Sequence, residues 1–179
     1  MDNPKRSRIE EVLKREARVI LLAVMMVVLQ RVIDPRILGA EVNILMLFVI
    51  ILVLIEPLYI VVRWAFYGGI AYDILSISWL GMHAVALLVA VALVYVLLAR
   101  VTNENWLLPI VAVLVGGSIY YSLLALLMYV SVSSFGVTAY VVGVMVPALL
   151  VILVPALPVF LAVRWWRSVR RGEVPIDVY

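Results

Sequence analysis

Long apolar runs recur from residue 17 to residue 166, and the short polar breaks between them set the element count. A helix needs about 20 apolar residues to cross the hydrocarbon core of a bilayer. The first run, Arg18 to Val32, ends at the polar segment Arg31 to Glu41, where Asp34-Pro35 breaks the helix. Between Ile37 and Asp73 the one interruption is Glu56-Pro57, and a single helix over that stretch would far exceed a bilayer. It therefore divides into a second span, Ile37 to Ile55, and a third, Leu58 to Leu75, joined by a tight turn. A fourth span covers Leu80 to Ala99, a fifth Leu108 to Val132 and a sixth Tyr140 to Trp166.

Ahead of the first span, residues 4 to 18 carry Glu10/Lys14 and Glu11/Arg15 at i,i+4 spacing, with Ile9, Val12, Leu13, Ala17 and Ile20 on one face. This pattern predicts an amphipathic lead-in helix on the membrane surface. Asn3-Pro4, or Ser7 with Glu10, would cap its start. The segment is longer and more mixed in charge than the basic start of a signal peptide, so it is expected to remain in the mature protein.

Composition agrees: 67% of the 179 residues are hydrophobic and none is cysteine. The expected fold class is an all-α integral membrane protein, a bundle of six transmembrane helices. Residues 1-17 form the cytoplasmic lead-in, 18-166 the transmembrane domain and 167-179 a basic cytoplasmic tail. Charge orients it. Lys5, Arg6, Arg8, Lys14, Arg15, Arg18, Arg100, Arg164, Arg167, Arg170 and Arg171 fall on one side, and only Arg31 and Arg36 on the other. By the positive-inside rule both termini are cytoplasmic, which demands an even number of spans. The outer connections are then Arg31 to Glu41, Ser76 to Trp79 and Ser131 to Thr138.

Within the spans, Ala86/Ala90, Ser118/Ser122 and Ala139/Gly143 repeat the small-xxx-small spacing of close helix packing. Pro147, Pro155 and Pro158 each remove a backbone donor, so the sixth span is expected to kink or unwind, with breaks at Pro147 and Pro155. Ionisable groups at membrane depth are costly. Four qualify: Glu56, Arg63, Asp73 and His83. Glu56 and Arg63 are expected to neutralise one another near the inner headgroups. Asp73 and His83 flank the turn between spans three and four, where Ser76 or Ser78 would cap span four and its positive end would hold the Asp73 carboxylate. That reading makes the pair a hairpin lock; proton or ligand handling at the outer face is the other reading.

Catalytic patterns are thin. One histidine and no cysteine build no His/Cys metal cluster, and the carboxylates form no paired-acid motif. A Ser/His dyad of His83 and Ser118 is the one nucleophilic arrangement to weigh. Gly68-Gly69 and Gly116-Gly117 lack the lysine and strand-to-helix context of a phosphate loop. No cofactor is implied, and the basic termini fit orientation and anionic lipid better than nucleic acid.

The pattern Gly69-x-x-x-Asp73-x-x-Ser76-x-Ser78-x-Leu80-Gly81-x-His83-Ala84 resembles the signature of the bacterial rod shape-determining MreD family, at the same third-to-fourth hairpin. Length, Gln30 near the end of span one, and Gly143-x-x-x-Pro147 before a basic tail are also similar. Ile77 stands where that family usually has glycine, Trp79 where it has proline, and the proline common before span two is missing. The resemblance implies a non-enzymatic scaffold of the cell-elongation machinery in the bacterial cytoplasmic membrane. Such a scaffold binds MreC, and through it works with RodA, penicillin-binding protein 2 and MreB in lateral peptidoglycan synthesis. It also implies a fold similar to the S-components of energy-coupling-factor transporters, which supplies the alternative: a substrate-binding membrane subunit for a small, vitamin-type molecule. On the scaffold reading, partner helices dock on small-residue grooves and the hairpin around Asp73 offers hydrogen bonds to MreC.

Overall fold

The computed structural model describes residues 4–33, 36–37, 40–76, 79–98, 107–131 and 135–171. Six helical rods form one bundle. They are α1 (Pro4–Ile33), α2 (Ile44–Ile55), α3 (Leu58–Leu75), α4 (Met82–Leu98), α5 (Leu108–Ser131) and a last rod, α6, made of three consecutive segments. Those segments are α-helix Val137–Tyr140, a π-helical turn Val141–Met145, and α-helix Val146–Arg171. A minimal antiparallel ladder between β1 (Arg36–Ile37) and β2 (Ala40–Glu41) leads from α1 to α2, pairing Arg36 with Glu41.

Three helices, Leu58–Leu75, Leu108–Ser131 and Val137–Arg167, are long and apolar enough to cross a membrane, and α2 and α4 are shorter apolar helices. Large apolar side chains cover the outside of the bundle, among them Leu21, Val96, Val130 and Val154. A surface of that kind suits lipid rather than water.

α2 is apolar on every side and is the buried centre, in contact with all the other rods; a helix with no polar face has nowhere else to go. Met46, Val49, Ile50 and Ile51 lie in its core. Gly68 and Gly116 admit it: a Cβ on Gly68 would lie 2.7 Å from Leu45 and one on Gly116 2.7 Å from Ile50, while one on Gly117 would lie 2.6 Å from Leu149 of α6. Of the small-xxx-small pairs, Ala86 and Ala90 are fully buried, whereas Ser122, Ala139 and Gly143 face outward.

Three expectations change. The lead-in is no separate helix: α1 runs unbroken for 30 residues, about 45 Å at 1.5 Å per residue. Ala23, Val27 and Gln30 face the bundle, while Val12, Leu13 and Ile20 stay exposed. The second span begins at Ile44, not Ile37, because Asn43 caps it and the β ladder occupies the residues before it. The sixth span is not broken at Pro155, which with Pro158 sits inside continuous α-helix. Its irregularity is the π turn directly before Pro147, which widens the helix where that ring would strike the carbonyl one turn back.

Candidate functional site

The corner between α3 and α4 is built around one carboxylate. Asp73 sits in the last turn of α3 and is 3% exposed. Its Oδ2 accepts from the backbone N–H of Gly81 at 2.9 Å and of Ala84 at 3.3 Å, and its Oδ1 from that of His83 at 2.9 Å. The first N–H groups of a helix have no partner within it, and they carry the positive end of its dipole. Here a side chain from the preceding helix supplies the acceptors. The capping role expected of Ser76 therefore belongs to Asp73. The Ser76 hydroxyl instead donates to the Asp73 carbonyl at 3.4 Å, and Ser76 closes α3 with its own N–H on the Tyr72 carbonyl. Ser78 lies outside the described residues.

The two glycines of the motif serve the same corner. Gly81 has φ +97°, a conformation that side chains rarely tolerate, and it turns the chain into α4. Gly69 lets α3 meet α4 backbone to backbone: a Cβ there would fall 2.7 Å from the Ala84 nitrogen. His83 Nδ1 lies 3.3 Å from Asp73 Oδ1 without forming an aligned hydrogen bond. Its ring stacks on Tyr72, with centroids 4.5 Å apart and planes 23° apart, and stands edge-on to Tyr120. No hydrogen bond joins His83 to Ser118, which is half-buried on α5.

Beside the corner is a cavity of about 290 Å³ lined by five of the rods, the β2 strand and the cap of α2. α1 supplies Gln30 and Arg31, β2 Glu41, the α2 cap Asn43, α3 Tyr72 and Ser76, α4 His83, α5 Tyr120 and Tyr121, and α6 Tyr140. Gln30 Oε1 accepts from the Leu45 N–H at 3.1 Å and Asn43 Oδ1 from the Met46 N–H at 2.9 Å, so the start of α2 is capped twice. Asn43 Nδ2 donates to the Tyr120 hydroxyl at 3.0 Å, and the Arg31 guanidinium lies 4.7 Å from the Tyr72 ring centre. Sequence reading missed Arg31, Asn43 and these tyrosines as a group. Asn43 carried a signal, a capping side chain directly before an apolar run; the tyrosines, spread over three helices, carried none.

At the opposite end the charge pairs differ from expectation. Arg63 pairs with Glu16 of α1 at 2.6 Å, with Tyr67 donating to the same carboxylate at 3.3 Å. Glu56 faces Arg167 of α6 at 3.7 Å. The two groups expected to neutralise each other thus tie α3 to α1, and the α2–α3 turn to α6.

Asp73 is buried, and its two oxygens accept from the turn at Gly81 and from the start of α4. Among the described residues, the corner exposes the apolar side chains of Ile74 at 67%, Trp79 at 67% and Leu80 at 73%. No family model, no curated protein and no solved structure matches the chain.

Proposed function

We propose that the chain is an MreD-type scaffold of the bacterial cytoplasmic membrane, with six spans, both termini inside, and the Asp73 corner outside. It binds MreC and, through MreC, supports RodA, penicillin-binding protein 2 and MreB in lateral wall synthesis; it performs no catalysis of its own. The observation that carries the reading is the corner. Each residue type of the Gly69…Asp73…Gly81…His83 pattern has a structural task there: close approach, cap, left-handed turn and stacked ring. A junction fixed so tightly presents Ile74, Trp79 and Leu80 as a preformed apolar knob. A preformed surface loses little conformational entropy on docking.

The basic residues add support, since eleven fall on the proposed inner side and two on the outer. The test is affinity purification of the tagged chain from native membranes. MreC should be recovered, and Trp79→Ala with Leu80→Ala should deplete it without changing the melting temperature. Absence of MreC from the wild-type eluate would refute the reading.

The cavity favours a second reading, a substrate-binding subunit of a small-molecule transporter with the S-component fold. Sites of this kind are concave, part apolar, and lined by a few convergent polar groups. Uptake of a labelled solute into cells that depended on this chain would select it.

A further inference from the structure

The polar wall of the cavity is chemically one-sided. The acceptors of its two amides are already used by the start of α2: Gln30 Oε1 by Leu45 and Asn43 Oδ1 by Met46. Its donors are not. Because the Tyr120 oxygen accepts from Asn43, its own hydrogen remains to be given. The Gln30 amide NH₂, the Tyr121 and Tyr140 hydroxyls and the Arg31 guanidinium have no hydrogen-bond acceptor among the described residues. Glu41, on the rim, is exposed and engaged in an interaction of its own.

Most of these groups are buried, with Arg31 exposed at the rim. Gln30, Asn43 and His83 are 6%, 6% and 8% exposed. Arg31 is positioned against the Tyr72 ring, and that ring is itself stacked on His83, which leans on the Asp73 corner. The lower wall is apolar, formed by Leu124, Met128, Val144 and Ala148. A site with unspent donors, an exposed guanidinium laid on the Tyr72 ring at its rim and an apolar floor selects for an occupant with acceptor oxygens at one end and carbon at the other. A guanidinium binds carboxylate and phosphate oxygens in charge-assisted pairs that are stronger than neutral hydrogen bonds.

We infer that the cavity is a binding site for an oxyanion, a carboxylate or phosphate seated on Arg31, on a molecule whose apolar part lies toward α5 and α6. Its volume equals that of about ten waters at about 30 Å³ each. One small solute fits it, as does the headgroup of an anionic lipid entering from the outer leaflet. This inference is independent of the scaffold reading, because MreC recovery and anion binding are separate readouts and either can fail alone.

The test is isothermal titration of the full chain in phosphatidylcholine nanodiscs with benzoate, inorganic phosphate, the neutral isostere benzamide, and benzylamine. At least one oxyanion should bind, with benzamide and benzylamine weaker by about tenfold or more, as loss of a charge-assisted contact of about 1.5 kcal/mol requires. Arg31→Gln should weaken the oxyanion by a similar factor and Arg31→Lys should keep most of the binding. Should Arg31→Gln also lower the melting temperature, the Lys variant and the benzamide comparison still decide. Replacing a third of the lipid by phosphatidylglycerol distinguishes the sources. Competition with the probe marks a lipid headgroup, and unchanged affinity a free solute, each within the oxyanion class. No heat from either oxyanion, equal binding of benzoate and benzamide, or indifference to Arg31→Gln would overturn the inference and leave a hydrated space.

Discussion

Gly69 and Ala84 touch through their backbones: a Cβ placed on Gly69 would lie 2.7 Å from the Ala84 nitrogen and 2.9 Å from its Cβ. No side-chain rotation relieves a contact with backbone, so α3 and α4 would have to separate. Gly69→Ala is expected to destabilise the bundle by about 1–3 kcal/mol, the cost of overpacking a close contact. Gly143→Ala, at a site with nothing within 4 Å, is the control and should be neutral or slightly stabilising. Thermal unfolding of the two variants in one detergent checks the contrast; equal melting temperatures would show that the approach of α3 to α4 is not tight.

Asp73 holds three N–H groups with two oxygens, so its two replacements should grade. Asp73→Asn keeps one acceptor oxygen and the volume; Asp73→Leu keeps neither acceptor and leaves the buried donors of His83 and Ala84, and the half-buried one of Gly81, without that partner. The leucine variant should cost about 1–3 kcal/mol and the asparagine variant less. On the proposed scaffold reading, recovery of MreC should fall in the same order, since Trp79 and Leu80 depend on the corner for their placement. If both variants melt with wild type, the carboxylate does not hold α4.

The ion pairs at the other end offer a test in which two pairings compete. With Arg63 on Glu16 at 2.6 Å and Glu56 on Arg167 at 3.7 Å, neutralising Glu16 and Arg63 together should be non-additive. The coupling expected of contacting residues is about 0.5–3 kcal/mol. The Glu56→Gln and Arg63→Gln pair should add. A double-mutant cycle on each pair, read by reversible unfolding in mixed micelles, separates the two. Coupling of Glu56 to Arg63 would restore the pairing that their closeness in sequence suggests.

That contrast marks where the chain was legible and where it was not. The rods followed from hydropathy, because the cost of an unpaired backbone in lipid forces every apolar run into a helix. Glu56-Pro57 divided one such run correctly, with Glu56 ending α2 and Pro57 starting α3. The Asp73–His83 corner was legible because its partners lie within eleven residues along the chain. The partners of Arg63 and Glu56 lie 47 and 111 residues away along the chain. They depend on how each rod is rotated toward its neighbours, which the hydropathy of a nearly all-apolar helix does not encode. The same holds for Gly116 and Gly117, whose spacing matched no motif yet admits Ile50 and Leu149, and for the tyrosines of the cavity. The π turn was hidden for a different reason: three prolines lay in one span, and composition does not say that only Pro147 meets a distorted turn.

Orientation is open to a direct experiment because the chain has no cysteine of its own. Trp79→Cys places one thiol on the exposed tip of the α3–α4 corner, and Glu10→Cys places one on the exposed face at the start of α1. With eleven basic residues on the proposed inner side, the charge bias predicts that the tip faces away from the cytoplasm. A membrane-impermeant maleimide should then label Trp79→Cys in intact spheroplasts and Glu10→Cys only after lysis. The two thiols control for each other, since a leaky preparation labels both and a sterically blocked site stays unlabelled even in detergent. Labelling in the reverse order would put the corner in the cytoplasm. It would then be unable to meet the extracytoplasmic part of a single-span partner, and the scaffold reading would lose the surface on which it rests.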